Sequence, residues 1–387
     1  MKVSAGAVLF ALLWFLYSWE VHIEIMFYAR SWVRQEVLPI EPLAGCFSEE
    51  RIRADGSLYN LTKARAPKQY EVHAGVDMRL GMDCYDFAGT IPPPHVASRP
   101  SSPLPAAQRT NFHTYWRADL IPFSERQEWM LKSFFATQDL MSSRLILWTN
   151  GLNLASHPRV AGYLRMHSGA FEVRLVDVVG LAKGTPLEDS PRLHSSDSKA
   201  WVDGDLLRLL VIWVHGGVWV DMDSLLTRDL KPLLEHEFVS EWDCYNKIYQ
   251  PMNGALMHFF QKSPYLCEAF HIMESSPPPR PGSTDWGSHL YYKLWRRLIA
   301  SSVPPFKVLP YCFAEGRSCR MDNRLPNPFT KDGRTWGKGH SLQEGGDLDK
   351  VLQKIFVVHL HNQWEKPFPK NGWVDRLLLR RYSAAQR

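Results

Sequence analysis

The chain has 387 residues, of which 45% are hydrophobic and 22% are charged. This composition is sufficient for a sizeable buried core and excludes a globally disordered protein. The formal net charge of +5 is small for this length, and the basic residues are scattered apart from short clusters such as Arg380–Arg381. Nucleic acid is therefore a poor candidate for a partner.

The N-terminal segment from Val3 to Trp19 contains no charged residue and lies between Lys2 and Glu20. About seventeen residues at a helical rise of about 1.5 Å span roughly 25 Å, which is enough for a thin bilayer. The basic flank before the segment and the acidic flank after it favour an orientation with the N-terminus inside. A cleaved signal peptide is the alternative, but the apolar run is long for one and no convincing A-x-A site follows it. We therefore predict that residues 1–29 form a cytoplasmic tail and a membrane-anchoring helix.

Two further features are typical of a protein in the lumen of the secretory pathway. Asn60-Leu61-Thr62 is an acceptor sequence for N-glycosylation. The six cysteines allow disulfide bonds to form, and the chain has no C-x-x-C metal spacing. Each feature also arises by chance, so the predicted compartment depends mainly on the N-terminal segment.

Two regions of different pattern follow the N-terminal segment. Residues 30–109 show no sustained periodicity, and the stretch Thr90–Pro105 is rich in proline, serine and alanine, which predicts a stem or linker. Over residues 110–387 strand patterns alternate with helical patterns, which predicts an α/β domain with a mainly parallel sheet covered on both faces. The strands are predicted at Phe112–Trp116, Arg144–Thr149, Phe171–Val179, Val218–Val220, Phe238–Trp242, Gly254–Phe259, Lys307–Phe313 and Ile355–His359. The helices are predicted at Gln127–Leu140, Val160–His167, Ser198–His215, Pro264–Glu274 and His289–Ala300.

The strongest chemical signal is the run His215-Gly216-Gly217-Val218-Trp219-Val220-Asp221-Met222-Asp223. Its glycines can end a helix and turn the chain tightly into a short apolar strand. Strand alternation predicts that Asp221 and Asp223 share a side at the carboxyl end of that strand, where open α/β sheets bind ligands. Two converging carboxylates attract a cation, and oxygen donors suit Mg²⁺ or Mn²⁺ completed by phosphate oxygens. Such an ion stabilises a diphosphate as it departs.

A D-x-D pair by itself is common at strand ends, so other interpretations stay open. A metal-dependent phosphatase of the haloacid dehalogenase class also carries D-x-D after a hydrophobic strand, with Thr or Val preferred next and the motif near the start of its domain. Here Ser224 follows the motif, and a long α/β stretch precedes it. A non-catalytic glycan-binding membrane protein is the further alternative.

The helix before the motif contains Asp205 and Arg208, which are three residues apart and therefore share a face. Because the rest of that helix is apolar, the two side chains are predicted to form either a structural ion pair or a ligand-binding pair. In the second case Asp205 accepts hydrogen bonds from sugar hydroxyls, and the guanidinium of Arg208 neutralises phosphate.

The run from Asp205-x-x-Arg208 through Gly216-Gly217 to Asp221-x-Asp223 resembles the family 32 glycosyltransferases. These include fungal α-1,6-mannosyltransferases and animal α-1,4-galactosyltransferases, and the large clostridial glucosylating toxins are distant relatives. The resemblance is strong over residues 197–235 and weaker over residues 110–365. It implies a GT-A fold, a UDP- or GDP-hexose donor, a divalent metal (Mn²⁺ or Mg²⁺) and transfer with retention of anomeric configuration. Together with the N-terminal segment, it implies a single-pass type II protein of the Golgi membrane acting on a glycan, glycoprotein or glycolipid acceptor.

The same resemblance implies roles for individual residues. Asp205 and Arg208 match the pair that contacts the donor sugar and phosphate. Asp221 matches the acid nearest the ribose and metal, and Asp223 matches the direct metal ligand. Trp116 resembles the aromatic residue that stacks on the nucleotide base.

Two further regions are compared with the family in the same way. The segment Val357–Trp364 resembles the family's closing segment, whose histidine contacts metal or phosphate. Of its two histidines, we expect His359 rather than His361 to fill this role. Asn253-Gly254 and Asp285-Trp286-Gly287 fall where such enzymes place sugar and acceptor contacts, although both are equally typical of turns.

Overall fold

The structure is a computed structural model, and it describes residues 5–19, 25, 27, 30, 33, 39–54, 58–76, 78, 83–94, 100–244, 251–318, 324–331 and 347–386. The chain forms two compact units, Met1–Pro39 and Ile40–Arg387. The first unit contains a helix over Ala5–Ser18, 14 residues long. No helix among the residues described is both long and apolar enough to cross a membrane. Val3 and Ser4 lie outside the described residues, and the membrane anchor over Val3–Trp19 stays a prediction.

The second unit is built on a seven-stranded sheet with the order β3-β2-β1-β4-β7-β6-β8. β1 pairs in parallel with both β2 and β4, β2 with β3, and β6 with β8. β7 is antiparallel to its neighbours β4 and β6, so the other strands all run in one direction. The prediction of a mainly parallel sheet containing the first, second and fourth strands is confirmed. The strands are β1 Thr110–Trp116, β2 Ser143–Thr149, β3 Phe171–Leu175, β4 Gly217–Val220, β6 Phe238–Glu241, β7 Met252–Phe259 and β8 Lys307–Leu309.

A second sheet of two strands lies beside the end of β4. β5 (Ser224–Leu226) pairs antiparallel with β9 (Val357–His359), and Ser224 lies opposite His359. Because Ser224 directly follows the acid pair, this pairing carries the C-terminal part of the chain to the motif.

Helices cover both faces of the large sheet, as strand–helix alternation predicts. Successive residues of β4 enter different apolar layers: Val218 and Val220 belong to one cluster, and Trp219 belongs to the other. The α-helices of this unit are Glu49–Ala54, Leu61–Arg65, Asp83–Gly89, Glu125–Thr137, Pro158–Met166, Val178–Ala182, Val202–His215, Pro264–Ser275, Ser288–Ala300, Asp347–Lys354 and Arg380–Ala385. Short 3₁₀ turns lie at Ala106–Gln108, Leu154–Ser156, Pro191–His194, Lys231–Leu233 and Tyr311–Phe313, and a π-turn lies at Asp375–Leu379.

Two strands are shorter than their apolar runs predict. The run Phe171–Val179 divides because Asp177 caps a short helix, its carboxylate accepting from the Gly180 backbone N–H at 2.9 Å. The run Lys307–Phe313 stops at Leu309 because Pro310 follows, and a proline has no N–H to continue the ladder. Local capping and proline chemistry therefore override the hydrophobic pattern at both places.

The described residues of the segment 40–109 belong to the same compact unit as the sheet. Disulfide bonds join Cys46 to Cys267 and Cys84 to Cys312. The carboxylate of Glu268 also accepts from the backbone N–H of Cys46 at 2.8 Å. The two disulfides attach this segment covalently to residues that lie more than two hundred positions further along the chain.

Candidate active site

A tight glycine turn places the motif at the edge of the sheet. The helix Val202–His215 is followed by Gly216 and Gly217, with φ angles of 62° and 108°. A Cβ at Gly217 would lie 2.2 Å from the carbonyl oxygen of Asn111 in β1. Only glycine therefore allows β4 to begin this close to β1, and the register of the motif depends on it.

The acid pair lies in a turn rather than in the strand itself. β4 ends at Val220, and the backbone N–H of Ser224 donates to the carbonyl of Asp221 at 3.0 Å to close the turn into β5. The alternation argument for the two acids is thus wrong in detail, although both side chains do converge. Ligand atoms of Asp221, Asp223 and His359 all lie within 4.8 Å of one another.

Asp223 is almost completely enclosed by the segment that follows β9. Its Oδ1 lies 3.2 Å from Nε2 of His359, and its Oδ2 accepts the backbone N–H of Asn362. Burial raises the pKa of this carboxyl, but the His359 imidazole and the Asn362 hydrogen bond outweigh burial and lower the pKa to about 2. Asp223 is therefore a carboxylate, ready to accept a cation.

Glu315 is a buried acid that no sequence pattern singled out. Its Oε1 lies 2.6 Å from Nδ1 of His359, and its Oε2 lies 3.0 Å from Nε2 of His361. Asn253 donates to the same Oε1 at 2.6 Å, so this residue orients Glu315. Burial raises the pKa of Glu315, yet the two histidines lower it to about 2.

Glu315 and Asp223 together determine the state of His359. Burial lowers the pKa of this imidazole, but the two acids raise it well above the ordinary value. The contact with Glu315 holds a proton on Nδ1, which leaves Nε2 facing Asp223. Metal-binding histidines in proteins are oriented by carboxylates in this manner.

The donor set fits a divalent cation. Within the described part of the chain, the buried Nε2 of His359 forms no hydrogen bond of good geometry, although Oδ1 of Asp223 lies 3.2 Å away. An imidazole nitrogen and two carboxylates are a donor set that Mn²⁺ accepts, and Mg²⁺ accepts the carboxylates. A second group of possible ligands, Glu315 with His359 and His361, shares the same histidine.

Arg208 connects the motif helix to the acid pair. Its Nη1 lies 3.1 Å from Oδ1 of Asp205, and its Nη2 lies 3.0 Å from Oδ1 of Asp221. Tyr291 accepts from Nη1 at 3.2 Å. One guanidinium is therefore shared between two carboxylates, and the expected pairing of Asp205 with Arg208 is present.

Burial disfavours the ionised forms of Asp205 and Asp221, the two acids that contact Arg208. Burial raises the pKa of Asp205 to about 7 even though Arg208 opposes the change, and it also raises the pKa of Asp221. The side chain of Asp221 retains 24% exposure, so a ligand can reach it. The indole N–H of Trp219 also donates to Asp221 at 2.5 Å.

Two glycines make room for this ion-pair network. A Cβ at Gly254 would lie 1.8 Å from Nη1 of Arg208, and one at Gly287 would lie 2.7 Å from Oδ2 of Asp205. Both glycines belong to segments that the sequence marked as sugar or acceptor contacts. In the structure they provide the space that Arg208 and Asp205 occupy.

Trp116 lies at the carboxyl end of β1, on the same edge of the sheet as Asp221 at the end of β4. Its ring is only 6% exposed, and its N–H donates to the carbonyl of Ile121 at 3.0 Å. The ring of Trp364 approaches it edge-on, with 4.9 Å between ring centroids. Stacking of Trp116 on a nucleotide base stays a prediction.

Comparison with known proteins identifies the class. Residues 126–239 match the family model described as a glycosyltransferase sugar-binding region containing the DXD motif. A search of curated protein sequences gave no significant match. The matched region contains Asp205, Arg208, Asp221 and Asp223. The chain is therefore an enzyme that transfers sugars, and its D-x-D pair lies within the matched region.

Several solved glycosyltransferases are distantly similar. The chain shares 13% identity with the PaToxG glycosyltransferase over 57% of its length and 84% of that chain, with a TM-score of 0.31. It shares 12% identity with the galactosyltransferase LgtC, in complex with donor and acceptor sugar analogs, over 71% of its length and 95% of that chain (TM-score 0.37). It shares 10% identity with the UDP-bound glycosyltransferase domain of the YGT toxin over 51% of its length and 64% of that chain, with a TM-score of 0.27.

Proposed function

We propose that this enzyme is a metal-dependent hexosyltransferase of the GT-A type, similar to family 32, that uses a UDP- or GDP-hexose donor. The acceptor is a glycan, a glycoprotein or a glycolipid, and the configuration of the anomeric carbon is retained. The observation that carries this proposal is the convergence of Asp221, Asp223 and His359 at the edge of the sheet, next to Arg208.

Asp223 and His359 would hold the metal, with Asp221 sharing it or contacting the ribose. Mn²⁺ or Mg²⁺ bound there would stabilise the negative charge that develops on the departing diphosphate. Glu315 accepts the N–H of Nδ1 of His359 and so directs Nε2 towards Asp223, where a metal ion would replace the proton on Nε2. Because Asp223 is held between His359 and the Asn362 backbone, its orientation is set before any ligand arrives.

Arg208 and Asp205 would act on the donor from the other side of Asp221. The guanidinium of Arg208 supplies positive charge to phosphate, and its two ion pairs prevent it from turning away. Asp205 accepts hydrogen bonds from sugar hydroxyls. Trp116 at the end of β1 would stack on the base. Because the ring of Trp364 lies edge-on against Trp116, Trp364 would have to move for the base to enter.

The decisive experiment measures release of free nucleotide from a panel of UDP- and GDP-hexoses by the purified Ile40–Arg387 unit. Mn²⁺, Mg²⁺ and EDTA are compared in parallel, and a simple phosphate monoester serves as the control substrate. We expect nucleotide release from one donor that requires the divalent ion. Release of phosphate from the monoester, with every sugar nucleotide inert, would instead identify a phosphatase.

We also propose that the enzyme works in the Golgi lumen as a type II membrane protein, with the apolar segment Val3–Trp19 as its anchor. Disulfide bonds persist in oxidising compartments, and the chain contains Cys46–Cys267 and Cys84–Cys312. Asn60 is exposed, so it is accessible for glycosylation. The mature protein is expected to retain its N-terminus and to lose mass on treatment with an N-glycosidase. A mature N-terminus beyond residue 20 would show a cleaved secretory protein instead.

A further inference from the structure

The guanidinium of Arg126 is buried at the start of the helix Glu125–Thr137. Among the residues that the structure describes, none of its three nitrogen atoms has a hydrogen-bond partner, although all three are shielded from solvent. The group lies 3.9 Å from the ring centroid of Phe368 and 4.9 Å from that of Phe329. Aromatic faces attract a cation but leave its in-plane N–H donors unsatisfied. A buried charge with unsatisfied N–H donors costs free energy, so we expect a hydrogen-bond acceptor to bind this guanidinium.

Two other cations lie near one of these rings, that of Phe329. Arg317 lies 5.6 Å and Lys366 lies 6.0 Å from the ring centroid of Phe329. We refer to Arg126, Arg317 and Lys366 as the basic cluster. Burial lowers the pKa of Arg126 to about 10, and Arg317 contributes to that shift by repulsion. Arg324 in turn lowers the pKa of Arg317 after burial, so positive charge accumulates in this region.

The basic cluster lies beside the candidate metal site. The negative charge of Asp223 raises the pKa of Arg126, and that of Glu315 raises the pKa of Arg317. Both acids are already engaged by His359. Lys366 follows the same segment that encloses Asp223, so the cluster is close to the proposed metal ligands.

We propose that the basic cluster is a second anion site, in which Arg126 and Arg317 bind a tetrahedral oxyanion of a substrate. This rests on the proposed function, since the site adjoins the ligands assigned to the metal. A guanidinium fork matches phosphate and sulfate oxygens geometrically, and the described residues leave all the side-chain donors of Arg126 unused. The oxyanion is either the diphosphate of the donor or an acidic group carried by the acceptor.

The variant Arg126→Met tests the site without requiring turnover. Methionine fills the space over the two aromatic rings and removes an unpaired buried charge, so the ligand-free melting temperature should hold or rise. The stabilisation by inorganic phosphate or sulfate in a thermal-shift titration should weaken about tenfold or more, the scale of losing charge-assisted hydrogen bonds. Arg126→Lys, which retains the charge but not the fork, should lie between wild type and Arg126→Met.

Arg192→Met is the matched control because its guanidinium is already paired, 3.1 Å from Glu274. It should leave the anion response unchanged. The source of the oxyanion follows from two further titrations. Weaker binding of UDP or GDP to Arg126→Met identifies the donor diphosphate, whereas unchanged nucleotide binding with a raised KM for an acidic acceptor identifies the acceptor.

Two results would overturn the proposal. A lower melting temperature with an unchanged response to phosphate, sulfate and nucleotide would show that Arg126 is structural. Unchanged values for both quantities would show that the cluster binds nothing. Because the phosphate and sulfate titrations need no turnover, they remain decisive even if no sugar donor is used by the wild-type enzyme.

Discussion

Asp223→Asn is expected to lower sugar transfer by on the order of a hundredfold or more, the scale seen when one electrostatic stabiliser of a transition state is lost. The substitution preserves the shape of the side chain and its ability to accept the Asn362 backbone N–H. It removes the negative charge that faces His359 at 3.2 Å. The fold should stay intact, but the melting temperature should fall because a buried ion pair is lost, and the stabilisation by added Mn²⁺ should largely disappear. Turnover and the Mn²⁺-induced shift in melting temperature are the two measurements.

Two further variants are measured for comparison with Asp223→Asn. Asp347→Asn, at an exposed acid whose partner Lys350 is also exposed, is the control and should leave turnover and the Mn²⁺ response unaltered. Asp205→Asn should reduce turnover while metal binding is largely kept, because Asp205 contacts Arg208 and not the proposed ion. A near wild-type rate for Asp223→Asn, with unchanged Mn²⁺ dependence, would remove this residue from the metal site.

Gly254→Ala is expected to reduce turnover by on the order of a hundredfold, through the loss of one electrostatic group. The new methyl carbon would lie 1.8 Å from Nη1 of Arg208 and 2.7 Å from the hydroxyl of Tyr291. Since β7 is held by hydrogen bonds on both sides, the guanidinium must move, and it then loses contact with Asp205 and Asp221. The measurements are turnover with the donor and nucleotide affinity.

The chain offers a matched control for this glycine. Gly162→Ala adds the same methyl group to the helix Pro158–Met166, where no atom lies within 4 Å, and it should leave turnover unchanged. Arg208→Lys alone should reduce turnover because the fork is lost. In the double variant Gly254→Ala with Arg208→Lys, the alanine should add little to the effect of lysine, since both act on one group. An additive loss would mean that Gly254 acts elsewhere.

The acid pair could be located from the sequence because its information is local. Two glycines, a short apolar strand and two acids follow one another, and strand ends of parallel sheets are where ligands bind. His359 was identified only through a family resemblance, and the structure explains its position by the pairing of Ser224 with His359. The rule that ligands bind at strand ends thus pointed to Asp221 and Asp223, and the family resemblance pointed to His359.

Glu315 could not be predicted in this way. It is one acid in a loop, and its importance arises only from a contact with His359, 44 residues later in the chain. The sequence also gives no sign of how the described part of the segment 40–109 is attached to the rest of its unit. Its attachment depends on Cys46 and Cys84 finding partners more than two hundred residues away, and spacing alone does not determine which cysteines pair.

The bond between Cys84 and Cys312 has a practical consequence for anyone producing this enzyme. Cys312 lies three residues before Glu315, and the Glu315 backbone N–H donates to the carbonyl of the neighbouring Tyr311. Tyr85, next to Cys84, donates to the carbonyl of Gly316 at 3.2 Å. The disulfide bond before Glu315 and the Tyr85 hydrogen bond after it thus hold the loop that carries Glu315, the residue that orients His359. A bacterial cytosol, where thioredoxin and glutathione keep thiols reduced, is the wrong host for preparing active material, and an export or eukaryotic secretion system is the appropriate choice.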